Sequence, residues 1–317
     1  MTKPVRSLAC LLLAALIVPA PAASSMAGSI ETDDPILKGR YVQIEKVQMV
    51  LVPTTVMDKK GRPVAGLSRD DFRLTENGRP VDIEYFATEA DAGVALAFML
   101  DLSGSMRQEN KLEMAKRTIA AFVNSLGKDD QYGLIGFADQ QVTWITDFMS
   151  DKATFLARLD VQHGYGQTAL FDALAAAPTL VQEQLPARKA IVLFSDGVDN
   201  FSEMDALRAV QHARQASVPI YAISFLPAPL EMLSQARKDA VYTLERFARE
   251  TGGRAFTIEQ PPDLPAAIQR IQTDLRHQYL IGFQPPGREG NDFRRIRIET
   301  RKSNLRVQCR TGYSLGS

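Results

Sequence analysis

The chain has 317 residues, of which 45% are hydrophobic and 23% are charged, a composition typical of a folded globular protein. Its 37 Lys and Arg residues balance its 37 Asp and Glu residues, and no long run carries one sign of charge. Nucleic-acid-binding proteins usually show a basic patch or stripe, so we expect no nucleic-acid partner. At this length we expect one full α/β domain together with a smaller element.

Residues 1–27 have the features of a secretory signal peptide. Lys3 and Arg6 precede an apolar stretch over 8–18, which is closed by Pro19 and followed by small residues. The stretch is shorter than the roughly 20 residues that a membrane-spanning helix needs. We therefore predict an exported protein, periplasmic or secreted, with no integral membrane span after cleavage. Cleavage would remove Cys10 and leave Cys309 as the single cysteine, so the mature fold would depend on its packed core.

Residues 28–92 and 279–317 both show short β-strand patterns. Apolar residues alternate over 41–53 and 81–86 in the first segment and over 279–283, 293–299 and 305–309 in the second. Glycine-containing turns at Lys60-Gly61 and Asn77-Gly78 separate the first set of strands. Neither segment has enough strands to bury a core easily by itself. We therefore expect the two chain ends to pack together as a small β-sandwich-like domain.

Residues 93–278 change to strands that alternate with amphipathic helices. Apolar strands are predicted over 94–100, 190–194, 220–225 and 255–258, with a strand pair over 132–137 and 142–145. Helices are predicted over 111–126, 169–184, 205–216, 239–251 and 264–277, with a kink at Pro178. This alternation predicts an α/β fold with a doubly wound, mostly parallel, Rossmann-like sheet.

Hydroxyl and carboxylate side chains follow the predicted strands and open one helix. The carboxyl-end loops of a doubly wound sheet converge on one crevice, where ligands bind. All-oxygen donors suit Mg²⁺, Mn²⁺ or Ca²⁺ better than zinc or copper. Gly104 would let the first loop turn tightly around an ion. The candidate metal ligands are Asp101, Ser103, Ser105, Thr168 and Asp196.

This order of motifs resembles the von Willebrand factor A domain and its metal-ion-dependent adhesion site. The family pattern is Asp-x-Ser-x-Ser, then a threonine on a second loop and an aspartate on a third. The resemblance covers about residues 94–277. It implies that the Ser103 and Ser105 hydroxyls coordinate the cation and that Thr168 joins directly or through water. It also implies that Asp101 and Asp196 act mainly through bound water.

A narrower resemblance extends over nearly the whole mature chain. The segments 66–72 (GLSRDDF), 279–283 (YLIGF) and 311–313 (TGY) are similar to those of a family of exported bacterial proteins related to the von Willebrand factor A domain. The ligands of that family are mostly unassigned. This resemblance supports the fold and the export, and it names no partner.

The expected function is that of a non-enzymatic binding module. A cation surrounded by hydroxyls and waters would remain strongly electrophilic and could accept an Asp or Glu carboxylate from a partner protein. The loops around the cation would supply the remaining contacts. The candidate contact residues are Met106, Arg107, Tyr165, Gln167, Gly197 and Asp199.

Two alternatives remain open. A metal-dependent hydrolase or phosphotransferase would use Asp101 as nucleophile, and a phosphotransferase would need a cation over the phosphate. Lys189 begins a predicted strand and should lie at the wrong end of the sheet for that role. The three histidines offer no metal spacing or catalytic triad, although His163 precedes the Thr168 loop and could act as a base. The second alternative is a structural module without metal binding, against which the complete ligand set argues.

Overall fold

The computed structural model describes residues 49–88, 93–182, 188–225, 232–287 and 293–314. The signal peptide predicted over 1–27 and the start of the N-terminal β segment lie outside these ranges. Among the described residues, no helix combines the length and the apolar character needed to cross a bilayer.

Fourteen strands and six α-helices occur in the described ranges. The strands are β1 (Val50–Met57), β2 (Phe72–Glu76), β3 (Arg79–Val81), β4 (Tyr85–Thr88), β5 (Ala95–Asp101), β6 (Gln131–Ala138), β7 (Gln141–Met149), β8 (Lys189–Phe194), β9 (Ile220–Phe225), β10 (Ala255–Ile258), β11 (Gln278–Phe283), β12 (Phe293–Thr300), β13 (Arg306–Gln308) and β14 (Gly312–Ser314). The helices are α1 (Lys111–Ser125), α2 (Lys152–Asp160), α3 (Leu170–Gln182), α4 (Ala206–Ala213), α5 (Gln235–Thr251) and α6 (Leu264–Arg276).

A six-stranded sheet in the order β10-β9-β8-β5-β6-β7 forms the centre of the α/β part. All neighbouring strands are parallel except the pair β6 and β7, which is antiparallel. Every residue of β5 is buried, because helices cover both faces of the sheet. Leu96 and Phe98 on β5 alternate with Ala97 and Met99, and each pair contributes to a different hydrophobic core. The predicted doubly wound, mostly parallel α/β fold is confirmed.

The helices divide between the two faces of this sheet. Residues of α1, α2 and α6 contribute to one core, and residues of α3, α4 and α5 contribute to the other. Helix α2 is absent from the predicted set, because only Phe155 and Leu159 on it are buried and its apolar pattern is correspondingly weak. Helix α3 continues through Pro178 to Gln182.

The strands from the two ends of the chain mix within two four-stranded sheets, ordered β13-β1-β11-β4 and β14-β12-β2-β3. In the first sheet β1 pairs with β11, so that Val52 lies opposite Ile281. In the second sheet β12 pairs with β2, so that Ile298 lies opposite Leu74. Buried residues of both sheets contribute to one hydrophobic core. It stays a prediction that residues 93–278 form an independent domain, with boundaries at 92/93 and 278/279.

Candidate metal centre

Asp101 lies at the carboxyl end of β5, the central strand of the α/β sheet. Its side chain is completely buried, at 0% exposure. One carboxylate oxygen accepts a hydrogen bond from the Ser103 backbone N–H at 2.9 Å. The other accepts one from the Ser195 hydroxyl at 2.7 Å. Since β8 pairs in parallel with β5, the loop after β8 brings Ser195 to this carboxylate. These two hydrogen bonds therefore fix the orientation of the Asp101 carboxylate at the end of β5.

Ser103 and Ser105 present two hydroxyl oxygens 3.0 Å apart. Ser103 is buried at the N-cap position of a helical turn that begins at Gly104, and Ser105 in this turn is half-buried. The Gly104 N–H donates to the Gly166 carbonyl at 3.1 Å, which ties this turn to the neighbouring loop. A Cβ atom at position 104 would approach that carbonyl oxygen to 3.2 Å, so the tight approach favours glycine.

The loop that carries Thr168 is held from two sides. The Thr168 N–H donates to the Asn200 side-chain carbonyl at 2.9 Å, and the Thr168 carbonyl accepts the Asn200 N–H at 3.0 Å. On the other side, the Asp139 carboxylate accepts the Gln167 N–H at 2.8 Å. Gly166 has a φ of +62°, and a Cβ atom there would clash with the Asp139 carboxylate. These contacts bury Thr168 to 1% exposure at the same end of the sheet.

Asp196 already has a cationic partner within the chain. One of its carboxylate oxygens lies 2.9 Å from the Lys111 ammonium, and the other accepts the Val198 N–H at 3.3 Å. Lys111 is the first residue of α1, and its residue exposure is only 2%. The loops after β5 and β8 are therefore joined by a buried ion pair.

Burial dominates the electrostatics of Asp101. Desolvation raises the pKa of its carboxyl group from 3.8 to about 6, against the opposing effect of the hydrogen bonds from Ser103 and Ser195. The negative charge of Asp196 raises this pKa further. The site thus holds two carboxylates, and the Lys111 ammonium is paired with the second of them. Among the described residues, the buried Asp101 carboxylate has hydrogen-bond donors but no cationic partner, which is a setting that favours a bound cation.

The donors fit a hard divalent cation. Within the described ranges, no three His, Cys, Asp or Glu side chains cluster closely enough to hold a metal ion by themselves. A cation at this end of the sheet would therefore need hydroxyl donors as well as carboxylates. Ser103 and Ser105 offer such a pair, and Asp101 and Asp196 supply negative charge beside it. Mg²⁺ and Mn²⁺ accept oxygen donors and waters of this kind.

The six predicted contact residues differ in their exposure to solvent. Arg107, Tyr165 and Gln167 are exposed on the loops around the site. Met106 has 0% exposure and packs in the hydrophobic core, so its prediction as a surface contact is wrong. An apolar side chain at that turn gains more by facing the core than the solvent.

Gly197 is also corrected, whereas the half-buried Asp199 stays a predicted contact. Gly197 is buried with a φ of +78°, and a Cβ atom there would lie 3.0 Å from the Ala240 carbonyl oxygen, so this glycine permits a turn against α5. The half-buried Asp199 carboxylate accepts the Phe171 N–H at 3.1 Å and also bonds the Ser202 hydroxyl. Its role in the structure is to join two loops.

Four residues that position the site were missed by the sequence reasoning. They are Lys111, Asp139, Ser195 and Asn200. Ser195 directly precedes Asp196 at a strand end, and this position is a sequence signal for a role in the site. The sequence indicates Lys111 only as the start of a helix, and nothing in it shows that its ammonium reaches a loop 85 residues away. Asp139 and Asn200 act through loop contacts that depend on the tertiary structure.

We expect the metal-free protein to lose stability as the pH rises from about 4 to about 6. The folded state keeps a proton on Asp101 up to a pKa of about 6, whereas the unfolded chain releases it near 3.8. Between these values the folded state binds more protons, so the free energy of unfolding falls with rising pH, by up to about 3 kcal/mol. Urea titrations across this range in metal-free buffer measure it. Asp101→Asn should lack this component, and parallel pH profiles for the two proteins would contradict the assignment.

The sequence profile of the von Willebrand factor type A domain matches residues 95–270, which is more than half of the chain. The chain therefore belongs to the von Willebrand factor type A domain family. The matched region contains the whole six-stranded sheet and all the candidate metal ligands.

Individual relatives are distant. The chain is 24% identical to the inter-alpha-trypsin inhibitor heavy chain H4 of Bos taurus, over 71% of this chain and 25% of that protein. It is 23% identical to a UPF0353 protein of Mycobacterium avium, over 58% of this chain and 61% of that protein. The chain thus spans about a quarter of the length of the first of these curated relatives and about three fifths of the length of the second.

Solved structures show the same range of similarity. A von Willebrand factor type A structure from Catenulispora acidiphila is 14% identical, with a TM-score of 0.48, over 86% of this chain and 74% of that one. An aerotolerance-related membrane protein from Bacteroides fragilis is 22% identical, with a TM-score of 0.43, over 58% of this chain and 98% of that one.

Proposed function

We propose that this chain is an exported, non-enzymatic binding module that captures an Asp or Glu carboxylate of a partner protein through a bound divalent cation. Mg²⁺ is the preferred ion, and Mn²⁺ or Ca²⁺ could replace it. The proposal of export depends on the signal-peptide features of residues 1–27. The observation that supports the binding function best is the pair of hydroxyls of Ser103 and Ser105, 3.0 Å apart, beside two carboxylates.

Each residue has a separate task in this proposal. Ser103 and Ser105 would hold the ion directly, and Thr168 would join directly or through water. Asp101 and Asp196 would compensate its charge and orient its waters. When bound, the cation would supply an electrophile with an exchangeable position for an external carboxylate.

The exposed rim suits recognition of an acidic segment. Arg107 and Tyr165 are exposed beside the site, and the Arg107 side chain lies over Gly164. A guanidinium can pair with a second carboxylate on the partner, and an exposed tyrosine offers both apolar area and a hydroxyl. The rim therefore favours a protein segment with more than one acidic residue.

The enzymatic alternative has less support. Asp101 has 0% exposure and both of its oxygens accept hydrogen bonds, so it is poorly placed to attack a substrate. Lys189 lies at the amino end of β8 and donates to the Gln182 carbonyl, at the other end of the strand from the site. Lys111 does bring a cation to the carboxylates, which sequence reasoning missed. It pairs with Asp196 instead of facing an accessible nucleophile.

Surface plasmon resonance with immobilised peptides tests the proposal. We expect peptides containing adjacent Glu residues to bind in Mg²⁺, and their Gln counterparts not to bind. EDTA and Asp196→Ala should each reduce binding by about 30-fold or more, because truncating a central anchor costs about 2 kcal/mol or more. A matched control is Asp205→Ala, which removes the exposed N-cap carboxylate of α4 and should leave binding unchanged.

Two results would contradict the binding function. One is peptide capture that survives both EDTA and Asp196→Ala, which would place the interface elsewhere on the molecule. The other is a metal-dependent hydrolysis or phosphate transfer that disappears in Asp101→Ala, which would favour the enzyme.

A further inference from the structure

Lys111 is an unusual residue at its position. It is the first residue of α1, where the helix dipole disfavours a positive charge. It is also almost fully buried, with 2% exposure, and lysine is almost never buried to this extent without a specific partner. Its ammonium lies 2.9 Å from Asp196, one of the candidate metal ligands. The buried Lys111 ammonium is thus in contact with the Asp196 carboxylate, whose negative charge a bound divalent ion would also need.

This contact places Lys111 in competition with a metal ion. Both oxygens of Asp196 are engaged, one by the Lys111 ammonium and the other by the Val198 N–H. Direct coordination by the oxygen that Lys111 holds would have to displace the ammonium, and a metal-bound water that donates to this oxygen would have to share it with the ammonium. Two like charges close together in a buried site also repel one another. Binding of the ion and pairing of Lys111 with Asp196 therefore oppose each other.

A second acceptor for Lys111 is already in place. The Glu109 carboxylate lies 3.4 Å from the same ammonium, is 42% exposed, and also lies 3.7 Å from Arg237 on α5. A small movement of the lysine side chain would exchange a buried partner for this more exposed one. The ammonium would then keep an ion pair after leaving Asp196.

The backbone before Lys111 is strained in a way that fits such a movement. Glu109 and Asn110 both have left-handed conformations, with φ values of 54° and 61°. Two successive non-glycine residues in this region are costly and persist only where surrounding contacts hold them. Asn110 makes no side-chain capping bond to α1. The segment that carries Lys111 is held by the buried Met106, by the bonds from the Lys111 N–H to the Met106 and Gln108 carbonyls, and by the ion pairs of Lys111.

We propose that Lys111 is a tethered counter-ion of the metal site, which occupies Asp196 in the metal-free state and passes to Glu109 when a divalent cation binds. This inference rests on the proposed function, because it assumes that the site takes a cation. It adds that the wild-type site binds metal more weakly than its ligands allow. Metal occupancy would also be coupled to the conformation of the segment between β5 and α1.

Titration calorimetry with Mn²⁺ and Mg²⁺ on the full chain tests this proposal. Lys111→Met, which keeps the length of the side chain without its charge, should bind the ion about tenfold or more tightly than wild type, since the competing buried pair is gone. Glu109→Gln should bind it more weakly, because the displaced ammonium loses its second acceptor. In the Lys111→Met background, Glu109→Gln should change the affinity by less than about twofold, because no ammonium remains to be accepted.

Lys116→Met is the matched control. Lys116 is also a buried lysine of α1, but it pairs with Glu113 at 3.0 Å and with the Asp160 carbonyl at 2.7 Å. Lys116→Met should leave metal affinity unchanged. If it raised the affinity as much as Lys111→Met does, the gain would come from the loss of any nearby positive charge, and the proposal would be overturned. The melting temperature in metal-free buffer gives a second readout, which should fall in Lys111→Met and recover when Mg²⁺ is added.

The outcomes separate this inference from the proposed function. If wild type binds metal and Lys111→Met binds it equally or more weakly, the tethered counter-ion is wrong and the metal site stands. If neither protein binds a divalent ion, both proposals fail. If Lys111→Met binds a divalent ion and wild type does not, Lys111 competes with the ion strongly enough to prevent its binding, and the proposal is supported.

Discussion

Asp101→Ala is expected to weaken Mg²⁺ or Mn²⁺ binding by about 10- to 100-fold, because residues that orient metal ligands and their waters typically contribute that much. Asp101 is completely buried, and its carboxylate fixes both the Ser103 N–H and the Ser195 hydroxyl. Removing it takes away a negative charge and also frees the turn that carries the two serine hydroxyls. Titration calorimetry on wild type and variant measures the difference.

Two further variants separate the causes. Asp101→Asn keeps the size of the side chain and removes its charge, so a loss similar to that of alanine would assign the effect to electrostatics. Asp151→Ala removes a carboxylate that accepts two N–H groups at the start of α2, outside the loops that carry the candidate ligands. It should cost about 1 kcal/mol of stability as a lost N-cap and leave metal binding unchanged. Identical isotherms for wild type and Asp101→Ala would end the metal-site hypothesis.

Tyr279→Ala is expected to reduce the free energy of unfolding by about 3–5 kcal/mol, the usual cost of deleting a buried aromatic ring. Tyr279 opens the C-terminal β segment on β11 and has 2% exposure. Its ring lies 5.2 Å from Phe72 and 5.8 Å from Phe86, both from the N-terminal segment. Its hydroxyl donates to the Val64 carbonyl at 2.7 Å. Urea unfolding followed by circular dichroism measures the loss.

Tyr279→Phe isolates the contribution of the hydroxyl. It keeps the ring but leaves the Val64 carbonyl and the Leu67 N–H without this partner, so we expect a loss of about 1–2 kcal/mol. Tyr242→Ala is the matched control, because Tyr242 on α5 is 52% exposed and its truncation should change stability by less than about 0.5 kcal/mol. Equal stability of Tyr279→Ala and wild type would show that the two chain ends do not depend on this contact.

The strands of the α/β part and most helices follow from local pattern, whereas the strand predicted over 81–86 is interrupted at 82–84 between β3 and β4. β5 is a run of apolar residues because both of its faces are covered, and such a run is recognisable without a structure. Helix α2 was missed because it buries only Phe155 and Leu159 and otherwise faces solvent. Met106 was misplaced because an apolar residue in a polar loop can face either way, and only the packing of the core decides.

The amino-acid pattern is enough to predict the α/β class, the order of the candidate ligands and their position at strand ends. Parallel strands place their carboxyl ends along one edge, so residues at those ends meet whatever the loops between them contain. How the charges of the site are compensated becomes visible only in the folded protein. The pairing of Lys111 with Asp196 and of Ser195 with Asp101 joins residues 85 and 94 positions apart. No periodicity encodes such contacts, because they depend on side-chain directions that are set when the loops pack against one another.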